Sequence, residues 1–355
     1  MQVLFLARST LYSVYGGDTV QVIYTARYLQ LQGIKVEIKL SNEKIDYRRY
    51  DLLHIFNATR PADSLAHVKK SGKPYLVSTI YVDFPKDPQG PRPFSADQIE
   101  YIKAVGRWIK NGEAVRSYYY LLNGHRKAVG ELARGAALLL PNSESEYRRF
   151  SAHYKTTYPY RVIYNGIDTN AVNPYDRGIN GEHDPRCVVC VGRIERRKNQ
   201  LNLIKALNNT SFRLKIIGNP SPNQRKYYDI CRGTAAANIS FERFVPHEQL
   251  GAYYQEAKVH VLPSWNETCG LSSLEAAYSG CNIVITDKGD TREYYGDHAF
   301  YCDPASPASI YDAIVKAASL PVSGALREKI KNDYNWEKAA VQTLSAYQEV
   351  LGSTT

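Results

Sequence analysis

Long hydrophobic runs are missing from these 355 residues: no apolar stretch approaches the roughly 18 that would cross a bilayer. The start, MQVLFLARS, lacks a basic leader, so the expected location is the cytoplasm. No strand-like run is followed by the G-x-G-x-x-G fingerprint of dinucleotide binding. A D-x-D motif is also absent, as are internal repeats and low-complexity tracts. Cysteine is missing from the first half; all six, Cys187, Cys190, Cys231, Cys269, Cys281 and Cys302, lie in the second. The Cys187-x2-Cys190 pair has no second pair at zinc spacing. It sits in an apolar run, CVVCV, where residues three apart point to opposite faces of a strand. Core thiols in a reducing compartment are the reading.

What is present is ordinary for a soluble globular chain: 44% apolar and 23% charged residues. The length exceeds what one core fills comfortably, so two domains are expected. The net charge of +10 is unevenly placed. Residues 1–168 hold 24 lysines and arginines against 15 acidic residues, whereas residues 169–355 hold 21 against 20. Such a basic half fits an anionic membrane surface or an acidic substrate. No nucleic-acid motif accompanies it, so no nucleic-acid partner is expected.

Along the chain, short apolar runs alternate with helical patterns. Strands are expected at 2–7, 36–40, 52–56, 75–80, 138–141 and 161–164, with a loop carrying Gly16 and Gly17 before a helix near 20–32. Adjacent glycines admit a ligand close to the backbone, or simply make the turn. Residues 95–136 read as helical, with Ile99, Ile102, Val105, Trp108 and Ile109 at helical spacing and Lys103, Arg107, Lys110, Arg116, Arg126, Lys127 and Arg134 flanking them. That region is either a hairpin with a solvated basic face or a surface for lipid headgroups or a lipid diphosphate. Ser143 and Glu146 form a capping-box signature. The polar run 170–186 reads as a linker. Beyond it, strands are expected at 187–191, 214–217, 239–244, 259–262, 283–286 and 300–302, and a last helix from Asn335 to about Leu351. The alternation predicts α/β, doubly wound domains.

The organising stretch is Lys258–Gly280, KVHVLPSWNETCGLSSLEAAYSG: strand, polar loop, then a helix from about Gly270. Glu267 lies in the loop and Glu275 about a turn and a half inside the helix. Carboxylates there can merely complement the helix dipole. A second strand-loop-helix junction, however, carries Gly192, Arg193 and Lys198, two cations able to reach a phosphate at the same sheet edge. The GR-x4-K junction, the E-x7-E spacing of Glu267 and Glu275 and the Asn165-Gly166-Ile167-Asp168 segment together resemble the retaining glycosyltransferases of glycosyltransferase family 4.

That resemblance implies a GT-B fold: two Rossmann-like domains facing each other across a cleft. It divides the chain into an acceptor domain at 1–168, a nucleotide-sugar domain at 169–333 and a terminal helix at 334–355 crossing back to the first domain. It implies transfer of a hexose with retention from a nucleotide-diphosphate donor, UDP-sugar favoured and GDP-sugar the alternative. The acceptor would be a glycan or lipid-linked sugar, in bacterial cell-surface polysaccharide or glycoconjugate synthesis, with peripheral contact to an anionic inner membrane open. No cofactor and no metal are implied. Arg193, Lys198 and Glu267 take the catalytic roles. The donor set is Gly16, Gly17, Gly192, Arg243, Phe244, Cys269, Gly270, Leu271, Ser272 and Glu275 beside those three. Tyr81, where the family usually has histidine, Asp83 and Arg107 are acceptor-side candidates. Arg243 stands where a glycine is common. A GT-B-fold sugar nucleotide epimerase and a non-catalytic nucleotide-sugar binder are the alternatives.

Overall fold

A computed structural model describes residues 1–82, 106, 114–155, 157–169, 183–222, 224–243 and 245–352. The chain forms two compact units, one of Met1–Tyr164 with Glu337–Thr355 and one of Asn165–Trp336.

In the first unit, β1 (Gln2–Ala7), β2 (Lys35–Leu40), β3 (Leu52–Phe56), β4 (Tyr75–Ser78) and β5 (Leu138–Leu140) form a parallel sheet in the order β2-β1-β3-β4-β5. The central strands are apolar at nearly every position, as strands covered on both faces must be. The crossovers are α1 (Gly17–Leu31), α2 (Pro61–Ser71) and α3 (Ala114–Gly135), the last broken at Gly124. Then comes α4 (Glu144–Tyr154), whose N-cap Ser143 accepts from the Glu146 amide at 2.9 Å. In this unit the last helix buries Tyr347 completely, its hydroxyl 2.6 Å from His54 Nδ1 on β3. His54 Nε2 meets Ser78 Oγ at 2.9 Å. Burial holds His54 down to about 3, so the ring is neutral and bridges helix and sheet by hydrogen bonds alone.

Residues 161–164 are not the sixth strand expected. The segment runs beside β5 with three hydrogen bonds, Leu139 N to Pro159 O, Arg161 N to Leu139 O and Ile163 N to Pro141 O, each 2.9 Å. Pro141 has no N–H to donate to Arg161, so a rung of the ladder is missing and the pairing stays an isolated bridge at Tyr160.

In the second unit, β6 (Asp184–Val191), β7 (Arg213–Ile217), β8 (Ile239–Glu242), β9 (Ala257–Leu262), β10 (Asn282–Thr286) and β11 (Phe300–Cys302) form a parallel sheet in the order β11-β10-β9-β6-β7-β8. Residues 184–186, expected in the linker, instead begin β6: Arg213 pairs with Asp184 at 2.7 Å, an edge ion pair that polar composition disguises. The helices are α5 (Gln200–Leu207), α6 (Arg225–Thr234), α7 (His247–Glu256), α8 (Leu271–Tyr278), α9 (Thr291–Tyr295), α10 (Pro307–Ser319) and α11 (Gly324–Asp333), while α12 (Trp336–Gly352) is the last helix already assigned to the first unit. The Asn165–Asp168 segment belongs to this unit, where the Ile167 amide donates to Tyr334 O at 2.9 Å. All six cysteines are buried free thiols. Strand order reverses between β6 and β9, and the carboxyl ends of that pair flank the crevice where open α/β sheets bind ligands.

Candidate functional site

Both loops at that reversal carry charge. After β6 the chain passes Gly192 and Arg193, makes a short turn at Arg196–Lys198 and enters α5. Asn199 anchors the turn, donating through Nδ2 to Pro263 O at 3.1 Å and Pro304 O at 2.7 Å. After β9 the loop 263–270 is tied to the first by Trp265 N donating to Arg197 O at 2.9 Å. Gly289 makes room for the loop: its backbone has φ +97, and a Cβ there would collide with the Glu267 carbonyl. The Glu267 backbone is thereby held on two sides, its N–H by Lys288 O at 3.1 Å and its C=O by Asp290 N at 2.9 Å.

The side chain of Glu267 is 5% exposed. Its Oε2 accepts from Lys198 Nζ at 2.5 Å and from Ser264 Oγ at 2.9 Å, with Arg197 4.0 Å away. Burial would raise this carboxyl, but the Lys198 and Arg197 cations and the two hydrogen bonds outweigh it and hold it near 2. Glu267 is an anion at any physiological pH. Glu195 extends the cluster, 3.3 Å from Arg197 and 3.6 Å from Arg193. Burial opposes its charge as well, and the same two arginines win, lowering its carboxyl. Three cations against two carboxylates leave one net positive charge. Arg193, its side chain 35% exposed, is the most open of them.

Helix α8 starts beside this cluster. Gly270 enters it at φ +63, a left-handed turn closed in by Ile285, Glu267 and Ser273 at 3.3–3.4 Å from where a Cβ would stand. Ser272 Oγ donates to Val191 O at 2.9 Å, which fixes the helix tip against the end of β6. The first N–H groups of the helix, those of Leu271 and Ser272, have no intrahelical acceptor. Together with roughly half a positive charge from the dipole they favour an anion. The Cys269 thiol is pushed up to about 12 by burial and by the Glu267 charge, so it stays protonated. Its carbonyl and that of Gly270 are both taken by the Tyr295 hydroxyl, at 2.7 and 3.2 Å, which leaves their N–H groups as the backbone contacts on offer.

Further along α8, Glu275 is 8% exposed and has two partners that the sequence did not point to. Oε1 lies 2.8 Å from His247 Nε2 and Oε2 accepts from the Tyr254 hydroxyl at 3.1 Å. Hydrogen bonding to Glu275 raises His247 above its ordinary value against the opposing effect of burial. Thus Gly192, Arg193, Lys198, Glu267, Cys269, Gly270, Leu271, Ser272 and Glu275 all lie at one strand reversal or on the helix leaving it. Arg243 is exposed, just past β8. Phe244, Asp83 and Arg107 lie outside the described residues. Sequence reasoning missed Arg197, Ser264, His247 and Tyr254. Only Ser264, adjacent to the loop glutamate, carried a signal.

The remaining candidates belong to the first unit and its own sheet edge. Gly16 caps α1 with extended backbone, φ −162. Its loop is braced by the buried Arg8, which donates to Asp18 at 2.6 Å, Thr10 O at 2.5 Å and Val14 O at 2.6 Å. The ring of Tyr81, expected to face an acceptor, is 5% exposed and turned into the core against Phe150 and Tyr154. Just before it, Ile80 sits at φ +44, a strained conformation for a β-branched residue. The fully buried Glu146 holds that bend, accepting from Tyr81 N and Asn142 N at 2.8 Å and from the Thr79 hydroxyl.

Among the described residues, no group of three or more His, Cys, Asp or Glu is placed to hold a metal, and no helix is long and apolar enough to cross a membrane.

Comparison with known proteins fits this geometry. The sequence profile of the glycosyl transferases group 1 matches residues 173–335. An uncharacterized glycosyltransferase of Methanocaldococcus jannaschii is 28% identical over 225 residues, 54% of this chain and 55% of that protein. The chain spans a little over half the length of the first curated relatives it matches. Among solved structures, sucrose-phosphate synthase from Thermosynechococcus elongatus superposes with a TM-score of 0.74 at 15% identity, over 99% of this chain and all of that one. Anabaena HepE in complex with UDP-glucose superposes with a TM-score of 0.68 at 17% identity, over 98% of this chain and all of that one. Two parallel α/β units with such neighbours make the fold GT-B.

Proposed function

We propose, from the premise that residues 173–335 of this chain match the profile of the glycosyl transferases group 1, that the protein transfers a hexose with retention from a nucleotide-diphosphate sugar to a hydroxyl of a glycan or lipid-linked acceptor. The observation that carries the reading is the net-positive cluster of Arg193, Arg197 and Lys198 with Glu195 and Glu267, beside the open tip of α8.

Each part of a sugar nucleotide has a counterpart here. Arg193, Lys198 and the amides of Leu271 and Ser272 would meet the diphosphate, whose negative charge grows as it leaves. Glu275 would take the ribose hydroxyls, since a carboxylate accepts from two donors where an amide has one acceptor oxygen. Glu267, fixed as an anion by Lys198, would take a hydroxyl of the sugar. The anomeric C–O bond to the β-phosphate breaks, the acceptor oxygen bonds the anomeric carbon on the same face, and the acceptor's proton passes to the departing phosphate oxygen. No enzymic base is required on that route. In our reading the cations of the cluster supply the charge stabilisation without a metal.

UDP-sugars are the first choice of donor because Anabaena HepE is described in complex with UDP and with UDP-glucose. For the acceptor side we propose a lipid-linked or glycan substrate, with the exposed Arg126, Lys127 and Arg134 of α3 available to an anionic surface. The test is thermal stabilisation by UDP-, GDP-, ADP- and TDP-sugars, since a ligand that binds only the folded state raises its melting temperature. Turnover of the best donor is then followed with an acceptor mixture, with and without chelator. Stabilisation by one donor class, an α-linked product from an α-linked donor and indifference to chelator are expected. Absence of stabilisation by any nucleotide sugar overturns the reading.

A further inference from the structure

The Glu275 carboxylate, to which the proposed function gives the ribose, already has two of its acceptor positions filled, and the inference here rests on that assignment. His247 occupies one position on Oε1 and Tyr254 one on Oε2. An ionised carboxylate only accepts, so both partners donate, His247 through its Nε2–H. Each oxygen has two in-plane positions, so one remains on each: two acceptors side by side, the pattern a cis-vicinal diol satisfies. Both donors come from α7, His247 at its start and Tyr254 seven residues on, hence on the same face. Tyr254 is wholly buried and fixed by packing, whereas the His247 side chain is 34% exposed at the edge of the site. The Asp168 and Glu248 carboxylates, together with Glu275, favour the charged imidazole.

We propose that His247 is a positioning residue that orients Glu275 toward the ribose diol and thereby sets the preference for ribonucleotides over 2′-deoxyribonucleotides. With His247 in place the carboxylate cannot rotate away from the pair of hydroxyls. Without it only Tyr254 restrains the group, and the bidentate geometry loosens.

The test is calorimetric titration of the full chain with UDP and with 2′-deoxy-UDP. Wild type is expected to bind UDP at least about 10-fold more tightly, the scale of one charge-assisted hydrogen bond. His247→Ala should weaken UDP about 10-fold while moving 2′-deoxy-UDP by less than about 2-fold, so that discrimination collapses. His247→Gln, whose amide nitrogen can donate from nearly the same place, should restore most of it. Where His247→Ala does not fold, His247→Phe keeps a ring without a donor and carries the same expectation. Equal weakening of both nucleotides, or unchanged discrimination, overturns the proposal. If wild type binds none of UDP, GDP and ADP, the donor site itself is misassigned and this inference goes with it; binding that ignores position 247 refutes the inference alone.

Discussion

The two sheet edges of this molecule are built from similar parts and put them to opposite uses. At the edge of the first unit, Arg8 spends its donors on Asp18 and on the carbonyls of its own loop, and Glu146 spends both oxygens on backbone amides and a hydroxyl. Those charges shape loops and are closed to a ligand. At the strand reversal of the second unit the ion pairs leave a cation in excess and a helix tip whose amides have no partner in the helix. A buried charge is therefore not in itself a sign of a binding site. What matters is whether the surrounding groups cancel it.

Substitutions can break that contrast. The largest effect should come from Lys198→Ala, which strands the buried Glu267 beside only Ser264 and a more distant Arg197. A loss of about 3–5 kcal/mol in stability is expected from removing one partner of a buried pair. Donor turnover should fall by at least ~2 kcal/mol as the leaving-group cation goes. Chemical denaturation and steady-state rates measure the two, and a variant of full activity would remove this cluster from the mechanism. Glu275→Gln should come next, weakening donor binding by about 2 kcal/mol with a smaller stability change, because the amide retains an acceptor for Tyr254 or His247 but not for both. Glu146→Gln is the reverse case. It should cost about 1–2 kcal/mol in stability, through the amides of Tyr81 and Asn142, while nucleotide affinity stays within about 2-fold. If affinity fell as steeply as for Glu275→Gln, the first edge would not be the closed one described here.

The smallest effects are those of pH, and they differ in sign. Glu267 titrates near 2, below its unfolded range, so its contribution to stability is complete above about 4.5 and is lost as pH falls toward 2. His247 is raised above its ordinary value, so its contribution is complete below about 6.5 and fades as pH rises through the raised value. Melting temperatures of wild type and His247→Gln from pH 5 to 9 should converge at the alkaline end. Parallel curves would mean that the imidazole carries no charge-dependent share of stability.

Much of this was legible in the sequence because it rests on local pattern. The apolar runs at Val3–Leu6 and Val259–Leu262 announce covered strands, and the glutamate loop before Gly270 announces a strand-to-helix junction. What escaped depends on partners distant in sequence. His247 meets Glu275 across 28 residues, and no periodicity connects the start of one helix with the middle of another. Residues 161–164 look like a strand by composition, yet the defect lies in the neighbour, where Pro141 lacks a donor. Residues 184–186 look like a linker because their charges are paired at an exposed sheet end. The direction of the Tyr81 ring is equally out of reach of local pattern, since a bend at Ile80 and the hold of Glu146 turn it inward.

The missing rung at Pro141 also affects what happens outside the molecule. A complete further strand would turn a fresh row of unpaired amides and carbonyls toward solvent, a template on which a second chain could add. Instead the last full strand of the first sheet is covered by an extended segment punctuated by Pro159 and fastened over it by the stacked rings of Tyr147 and Tyr160, 3.5 Å apart. That side of the sheet therefore ends in a seam ill suited to recruiting other chains, a safeguard against edge-to-edge aggregation made from two prolines and two tyrosines.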